Sequence, residues 1–95
     1  MSAYLIVNID VTDPEAYEEY KAGAAAVVAK HGGTYLVRGG QFDVLEGNWT
    51  PTRLVILQFP DRAALDAFYI DPEYAPLKAL RHSAAATDAI AVDGT

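Results

Sequence analysis

The order of elements legible in this chain predicts an α+β fold, a βαββαβ unit whose single four-stranded sheet is covered by helices on one face. Three observations carry that expectation. An apolar, strand-like run opens the chain at residues 3–11, and a second, more β-prone run occupies residues 53–59. Helical patterns follow each of them, near residues 14–30 and again after Asp61, and a short β-prone run closes the chain at residues 89–92.

In the first run, Leu5, Val7, Ile9 and Val11 alternate with Tyr4, Ile6, Asn8 and Asp10, so successive side chains point to opposite faces of a sheet. Both sets are largely apolar. A two-layer fold of 95 residues covers only one sheet face with its own helices, and an apolar second face therefore calls for a second copy of the chain. Thr12-Asp13-Pro14-Glu15 then reads as a helix start, with Thr12 as the cap, Pro14 in the first turn and Glu15 completing a capping box. Tyr17, Tyr20, Ala24, Val27 and Val28 recur at three- and four-residue spacing as a buried stripe, and Gly32-Gly33 ends the helix.

Residues 34–38 and 42–46 read as short strands of a hairpin turning at Gly39-Gly40-Gln41. Beyond Trp49-Thr50-Pro51-Thr52, the run from Arg53 to Phe59 is expected to be a central strand, closed by Pro60. Asp61 caps a second helix with Leu65, Phe68 and Tyr69 on its apolar face. Pro76 lacks an N–H and crowds the preceding turn, which predicts a break near Tyr74 before a further helical piece through Leu77, Leu80 and Arg81.

The chain is long enough for one core, so residues 1–95 are read as a single domain. Hydrophobic residues make up 52% and charged ones 21%, the balance of a packed globular protein rather than a disordered one. The formal charge of -6, with the arginines scattered, argues against nucleic acid as a partner. There is no apolar run of about eighteen residues for a membrane span. Met1-Ser2-Ala3-Tyr4 lacks the regions of a signal peptide, so the expected location is the cytoplasm. With no cysteine and only two separated histidines, neither a zinc site nor a thiol nucleophile is expected.

Taken in order, Thr12-Asp13-Pro14, Tyr17 and Tyr20, Leu36-Val37-Arg38-Gly39-Gly40, Leu45-Glu46-Gly47, Trp49, Arg53 and Pro72-Glu73-Tyr74 resemble the bacterial domain-of-unknown-function family numbered 1330, DUF1330. The resemblance runs from Tyr4 to Val92. It implies the dimeric α+β barrel superfamily, in which two ferredoxin-like sheets face each other with helices outside. That superfamily also holds cofactor-free monooxygenases, haem-degrading enzymes, muconolactone-type isomerases and ring-cleavage lyases, whose sites lie between the sheet and its own helices. Haem-degrading members use an Asn on the first strand, a Trp in the helix after the fourth strand and a His ligand beyond it. Asn8 matches the first, but Phe68-Tyr69 offers no Trp and the ligand register falls near Lys78 unless His82 takes it, which disfavours haem.

The candidate ligand-binding residues are Asn8, Tyr17, Tyr20, Arg38, Tyr69 and Arg81. Arg38, at a strand end beside two glycines, either bridges to Glu46 across the hairpin or fixes a carboxylate or enolate with paired hydrogen bonds. Asn8 is the polar exception in a buried strand and needs a partner, from a neighbouring strand, water or a ligand. Tyr17, Tyr20, Tyr35, Tyr69 and Tyr74 supply aromatic rings for core or cavity, whereas Trp49 suits a subunit interface. His31, in the last turn of its helix, suits a structural role. These residues lead to a homodimer that binds a small organic acid or polar aromatic compound between sheet and helices, without a cofactor or metal. The alternatives are a cofactor-free monooxygenase or isomerase, or a non-catalytic structural or interaction module.

Overall fold

The computed structural model describes residues 1–95. Its elements run β1 (Ala3–Val11), α1 (Pro14–Lys30), β2 (Thr34–Arg38), β3 (Leu54–Phe59), α2 (Arg62–Tyr69), α3 (Ala75–Ala84) and β4 (Ala85–Asp93). The four strands form one antiparallel sheet in the order β2-β3-β1-β4. Fold class and element order thus follow the expectation, while several boundaries differ for identifiable reasons.

Period-two alternation places the core. Ala3, Leu5, Val7 and Ile9 of β1 and Val55, Leu57 and Phe59 of β3 are buried, and the residues between them are only half-buried or exposed. The buried set meets the helices through an aromatic chain: Phe59 and Phe68 lie 5.3 Å apart between ring centroids, and Phe68 and Tyr74 lie 4.3 Å apart. These separations suit favourable ring contacts and join β3, α2 and the start of α3. The Cα envelope measures 36 × 33 × 16 Å, thin enough for one helical layer on one sheet. The opposite face, carrying Tyr4, Ile6, Ile56, Ile90 and Val92, has no layer of its own chain over it. No helix is long and apolar enough to cross a membrane.

The cap of α1 is Asp13, not Thr12. Asp13 Oδ1 accepts from the Ala16 N–H at 3.3 Å, and Thr12 instead donates its hydroxyl to the Ala84 carbonyl at 3.0 Å, tying the β1–α1 junction to the end of α3. Two adjacent residues able to cap look alike in sequence, and a long-range acceptor decided between them. At the other end, Gly32 takes φ +76 just past the C-cap His31, the conformation the glycine pair was expected to supply.

Residues 42–46 are not a strand. β2 and β3 do pair, but through a long connection, residues 39–53, in which only the turn at Gly39 (φ +72) bonds back to β3, through Gly39 N–H to the Leu54 carbonyl at 2.8 Å. The β-prone run Phe42-Asp43-Val44-Leu45-Glu46 has no neighbouring strand within the protomer, and pattern alone does not make a strand without a ladder. The last strand is longer than the expected 89–92, because β4 pairs with β1 along nine residues. Alanines dominate it, so its β character comes from the ladder rather than from propensity. Pro76 sits in the first turn of α3, where a missing N–H costs nothing, and the chain breaks at residues 70–74 as the proline predicts.

One polar junction locks that break to α1. Asp71, whose side chain is 6% exposed, accepts from His31 Nε2 at 2.6 Å, from Lys30 Nζ at 3.0 Å and from the Glu73 N–H at 2.8 Å. Hydrogen bonds from His31, the Glu73 N–H and Lys30 hold its carboxyl well below the usual carboxylate range. A depressed folded-state value means that this stabilisation is fully present above the unfolded carboxylate value, about 3.9, and is lost as pH falls through the lower folded value. Urea titrations should therefore show Asp71→Asn as less stable than the parent at pH 7, with the difference shrinking below about pH 4. A gap that persists unchanged at acid pH contradicts this account.

Candidate functional site

The cleft between sheet and helices is built by four segments. α1 supplies Tyr17, Tyr20 and Lys21, β2 supplies Tyr35 and Arg38, the sheet floor supplies Leu5, Val7, Ile9, Val55 and Leu57, and the α2–α3 region adds Phe68, Tyr74 and Arg81. A bulge makes this set possible. The β2–β3 register shifts between Tyr35 and Val37, so Tyr35 pairs with Leu57 and Arg38 with Val55, both on the helix side. Strict alternation puts Tyr35 and Arg38 on opposite faces.

The charges of the lining are one-sided. It holds Lys21, Arg38 and Arg81 and no Asp or Glu, within a protein of formal charge -6. Arg81 is 2% exposed, takes part in none of the chain's ion pairs, and has no protein acceptor for Nε. Its Nη2 lies 3.3 Å from His82 Nε2, and its guanidinium carbon sits 6.0 Å from the centre of the Tyr20 ring. A guanidinium stays charged at any ordinary pH, and removing an unpaired cation from water costs several kcal/mol even after relaxation. Arg53 adds a fourth cation at the rim. Its guanidinium lies 5.8 Å from the Tyr17 ring centre, and its Nε also has no acceptor. A Cβ on Gly39 would collide with that guanidinium, so the residue is bound to glycine by this contact as well as by its positive φ.

The tyrosines are donors rather than bases. The Tyr20 and Tyr74 hydroxyls are 2.7 Å apart, and burial pushes both up, Tyr20 far above the usual phenol range with the neighbouring Tyr74 adding to its rise. Burial also raises Tyr35. All three remain protonated at neutral pH. At the mouth, Arg38 rests over the Tyr35 ring at 4.4 Å and Lys21 over the Tyr17 ring at 5.6 Å, two cation–π contacts that close the cleft. The enclosed space is about 30 Å³, room for about one or two waters.

Of the residues singled out from sequence, Tyr17, Tyr20, Arg38 and Arg81 meet around this cavity. Asn8 does not. It points to the other sheet face, beside Ile6, Leu54, Asp88 and Ile90, and its Oδ1 accepts from the Thr52 N–H at 2.8 Å and the Arg53 N–H at 3.2 Å. Its partner is thus the entry to β3, a backbone contact that sequence does not reveal. Tyr69 is not part of the cavity lining and borders the groove between α2 and β4, where Lys78 sits 4.0 Å from its ring centre, but it reaches the site from behind, with its ring 6.2 Å from that of Tyr74 and a side-chain hydrogen bond to Arg81. Arg38 and Glu46 form no bridge. Lys21 joins the site unforeseen, since as an i,i+3 partner of Glu18 it reads as a surface residue.

Topology and site together define a ferredoxin-like α+β protein with a cationic, tyrosine-lined cleft between its two layers. The chain belongs to the DUF1330 family, a domain of unknown function, which it matches over residues 2–95. No curated protein matches its sequence. Among solved structures, a protein of unknown function from Rhodopseudomonas palustris is similar at 19% identity and TM-score 0.81, covering 99% of this chain and 82% of that one. SnoaB, a cofactor-independent oxygenase from Streptomyces nogalater, is similar at 14% identity and TM-score 0.69, covering 99% and 93%. A dimeric ferredoxin-like protein of unknown function from Jannaschia sp. CCS1 follows at 15% identity and TM-score 0.66, covering 99% and 100%. At these identities the likeness is one of fold.

Arg81 tests whether the cleft is built for stability or for a ligand. Replacing buried charged groups by apolar ones of similar volume is often neutral or stabilising by about 1 to 4 kcal/mol, and Arg81→Met should fall in that range by urea unfolding of the ligand-free protein. A loss beyond about 1 kcal/mol would mark the guanidinium as a structural element.

Proposed function

We propose that the chain works as a homodimer that binds a small organic acid, or a polar aromatic compound carrying an acidic group, in the cleft between sheet and helices. The observation that carries this reading is Arg81, a buried guanidinium facing an acid-free, tyrosine-lined cavity. A carboxylate or enolate satisfies it with charge-assisted hydrogen bonds, which are stronger than neutral ones and strengthened further by exclusion of water. Whichever of Tyr20 and Tyr74 accepts in their mutual hydrogen bond has its own O–H free to donate to the same anion or to a ring substituent. The closed cleft is far smaller than the roughly 300 Å³ typical of ligand pockets, so binding requires Lys21 and Arg38 to leave the rings they cover. Both are long, partly exposed side chains held by contacts worth about 0.5 to 1 kcal/mol each, a barrier an anion can offset.

The homodimer rests on the face opposite the cleft. Ile90 and Val92 of β4 expose 61% and 41% of their surface there, beside Ile6 and Tyr4 of β1, an apolar set that a second sheet covers. Similar structures described as dimeric ferredoxin-like proteins support it. The likeness to SnoaB favours a second reading, a cofactor-free oxygenase, in which Arg81 stabilises an enolate formed from the bound compound. Such chemistry needs a proton acceptor, and the protonated tyrosines do not provide one. The small closed volume favours a third, a non-catalytic interaction module.

A thermal-shift screen of small aromatic and aliphatic carboxylic acids against their carboxamides separates these readings. A matched acid at about 100 times its Kd adds about 2.7 kcal/mol of stability, whereas the amide, which leaves Arg81 unpaired, gives no shift. Arg38→Ala weakens the acid without changing the dimer, and consumption of dioxygen with the bound acid would favour the oxygenase. Equal shifts from acid and amide, or none across the panel, remove the binding proposal. Light scattering over a dilution series should independently give twice the 10.2 kDa chain mass, and a stable monomer removes the dimer.

A further inference from the structure

The cleft and its mouth carry more positive charge than one carboxylate balances. Lys21 has Glu18 at 2.8 Å, but Arg38, Arg53 and Arg81 take part in none of the chain's ion pairs. A single carboxylate on Arg81 therefore leaves two guanidinium groups without a counter-ion. Those two are neighbours. Arg38 pairs with Val55 across the sheet, and the next residue, Gly39, donates its N–H to the Leu54 carbonyl at 2.8 Å, one position beyond Arg53. The missing Cβ of Gly39 lets the Arg53 guanidinium lie against the strand end beside Arg38. Like charges held side by side repel, and an anion between them removes the repulsion.

Arg53 is held in place from both faces of the sheet. Its N–H donates to Asn8 Oδ1 at 3.2 Å, its carbonyl accepts from the Ile9 N–H at 2.9 Å, and its guanidinium carbon sits 5.8 Å from the centre of the Tyr17 ring. Asn8, which looks away from the cleft, thus acts as a positioning residue for one of its cations. Arg53 Nε is buried without an acceptor, and Arg81 Nε is in the same state, with Arg81 6.0 Å from the Tyr20 ring centre. A buried donor in that condition favours any ligand that brings an acceptor. Tyr17 and Tyr20 stack at 5.7 Å and 27°, so a stacked aromatic pair has one unpaired guanidinium beside each ring. Such a frame suits a ligand with an apolar middle along the rings and an anionic group at each end.

We propose that the cleft takes a dicarboxylic acid, with one carboxylate on Arg81 and the other held at the mouth by Arg53 and Arg38. The assignment rests on the acid-binding reading and deepens it, for it sets the charge and the two-ended form of the ligand. It also supplies what opens the mouth. Arg38 covers the Tyr35 ring at 4.4 Å, and a second carboxylate gives that guanidinium a charge-assisted partner in place of the ring. A monoacid seated on Arg81 brings no such partner to the mouth.

Equilibrium titration of the full chain tests this with terephthalate and the α,ω-dicarboxylates from succinate to suberate, each beside its own monoamide. The two members of a pair share size and shape and differ by one charge. In the parent protein at least one diacid should bind at least about tenfold tighter than its monoamide, the gain expected of a charge-assisted hydrogen bond. Arg53→Gln should bring that pair to within about twofold of each other, whereas Arg53→Lys, which keeps the charge without the planar fork, should retain part of the gap. Circular dichroism shows whether each variant is folded, and the comparison in the parent stands without either of them. Pairs that bind equally in the parent overturn the second carboxylate site and leave acid binding in place. A gap that persists undiminished in folded Arg53→Gln overturns the role of Arg53 and with it the proposal. No binding by any diacid or monoamide overturns both readings.

Discussion

One-sided burial governs this protein. β1 and β3 alternate so that Ala3, Leu5, Val7, Ile9, Val55, Leu57 and Phe59 turn toward the helices, and Phe68 and Tyr74 complete the contact from above. Helices on one face are all that the chain supplies, and the remaining face is apolar. Both consequences of the fold, a cleft within the protomer and a surface facing outward, follow from that asymmetry.

The two faces hold different chemistry. On the helix side, cations and phenols gather with a carboxylate partner for Lys21 alone, Glu18, while other ion pairs form away from the cleft: Asp71 with His31 and Lys30, Asp66 and Asp93 with Arg62. Arg81 is thereby left to the cavity. On the outer side, Asn8 anchors the entry to β3 and Trp49 lies against the sheet, so the long connection is attached at its root and free along its length. The bulge in β2 serves both, because it turns Arg38 inward and weakens the edge from which the connection departs.

The fold was legible because its signals are local and periodic. Alternation in β1 and β3, the glycine pair after α1, Asp61 before α2 and the proline at the start of α3 each act within a few residues. Where the reading failed, a distant partner had decided. Thr12 lost the cap to Asp13 because the Ala84 carbonyl took its hydroxyl, and residues 85–88 became strand because β1 offered a ladder. The strand-like run 42–46 met no such ladder within its own protomer.

The site divides along the same line. Sequence alone determined the element order, the tyrosine supply on α1 and the absence of cysteine, since these depend on residue type and spacing. Only the tertiary structure decided that Arg38 shares a face with Tyr35, that Asn8 looks away from the cleft, and that Arg81 is buried without an acid beside it. Register, facing and ion pairing join residues tens of positions apart, and no local pattern in a chain encodes them.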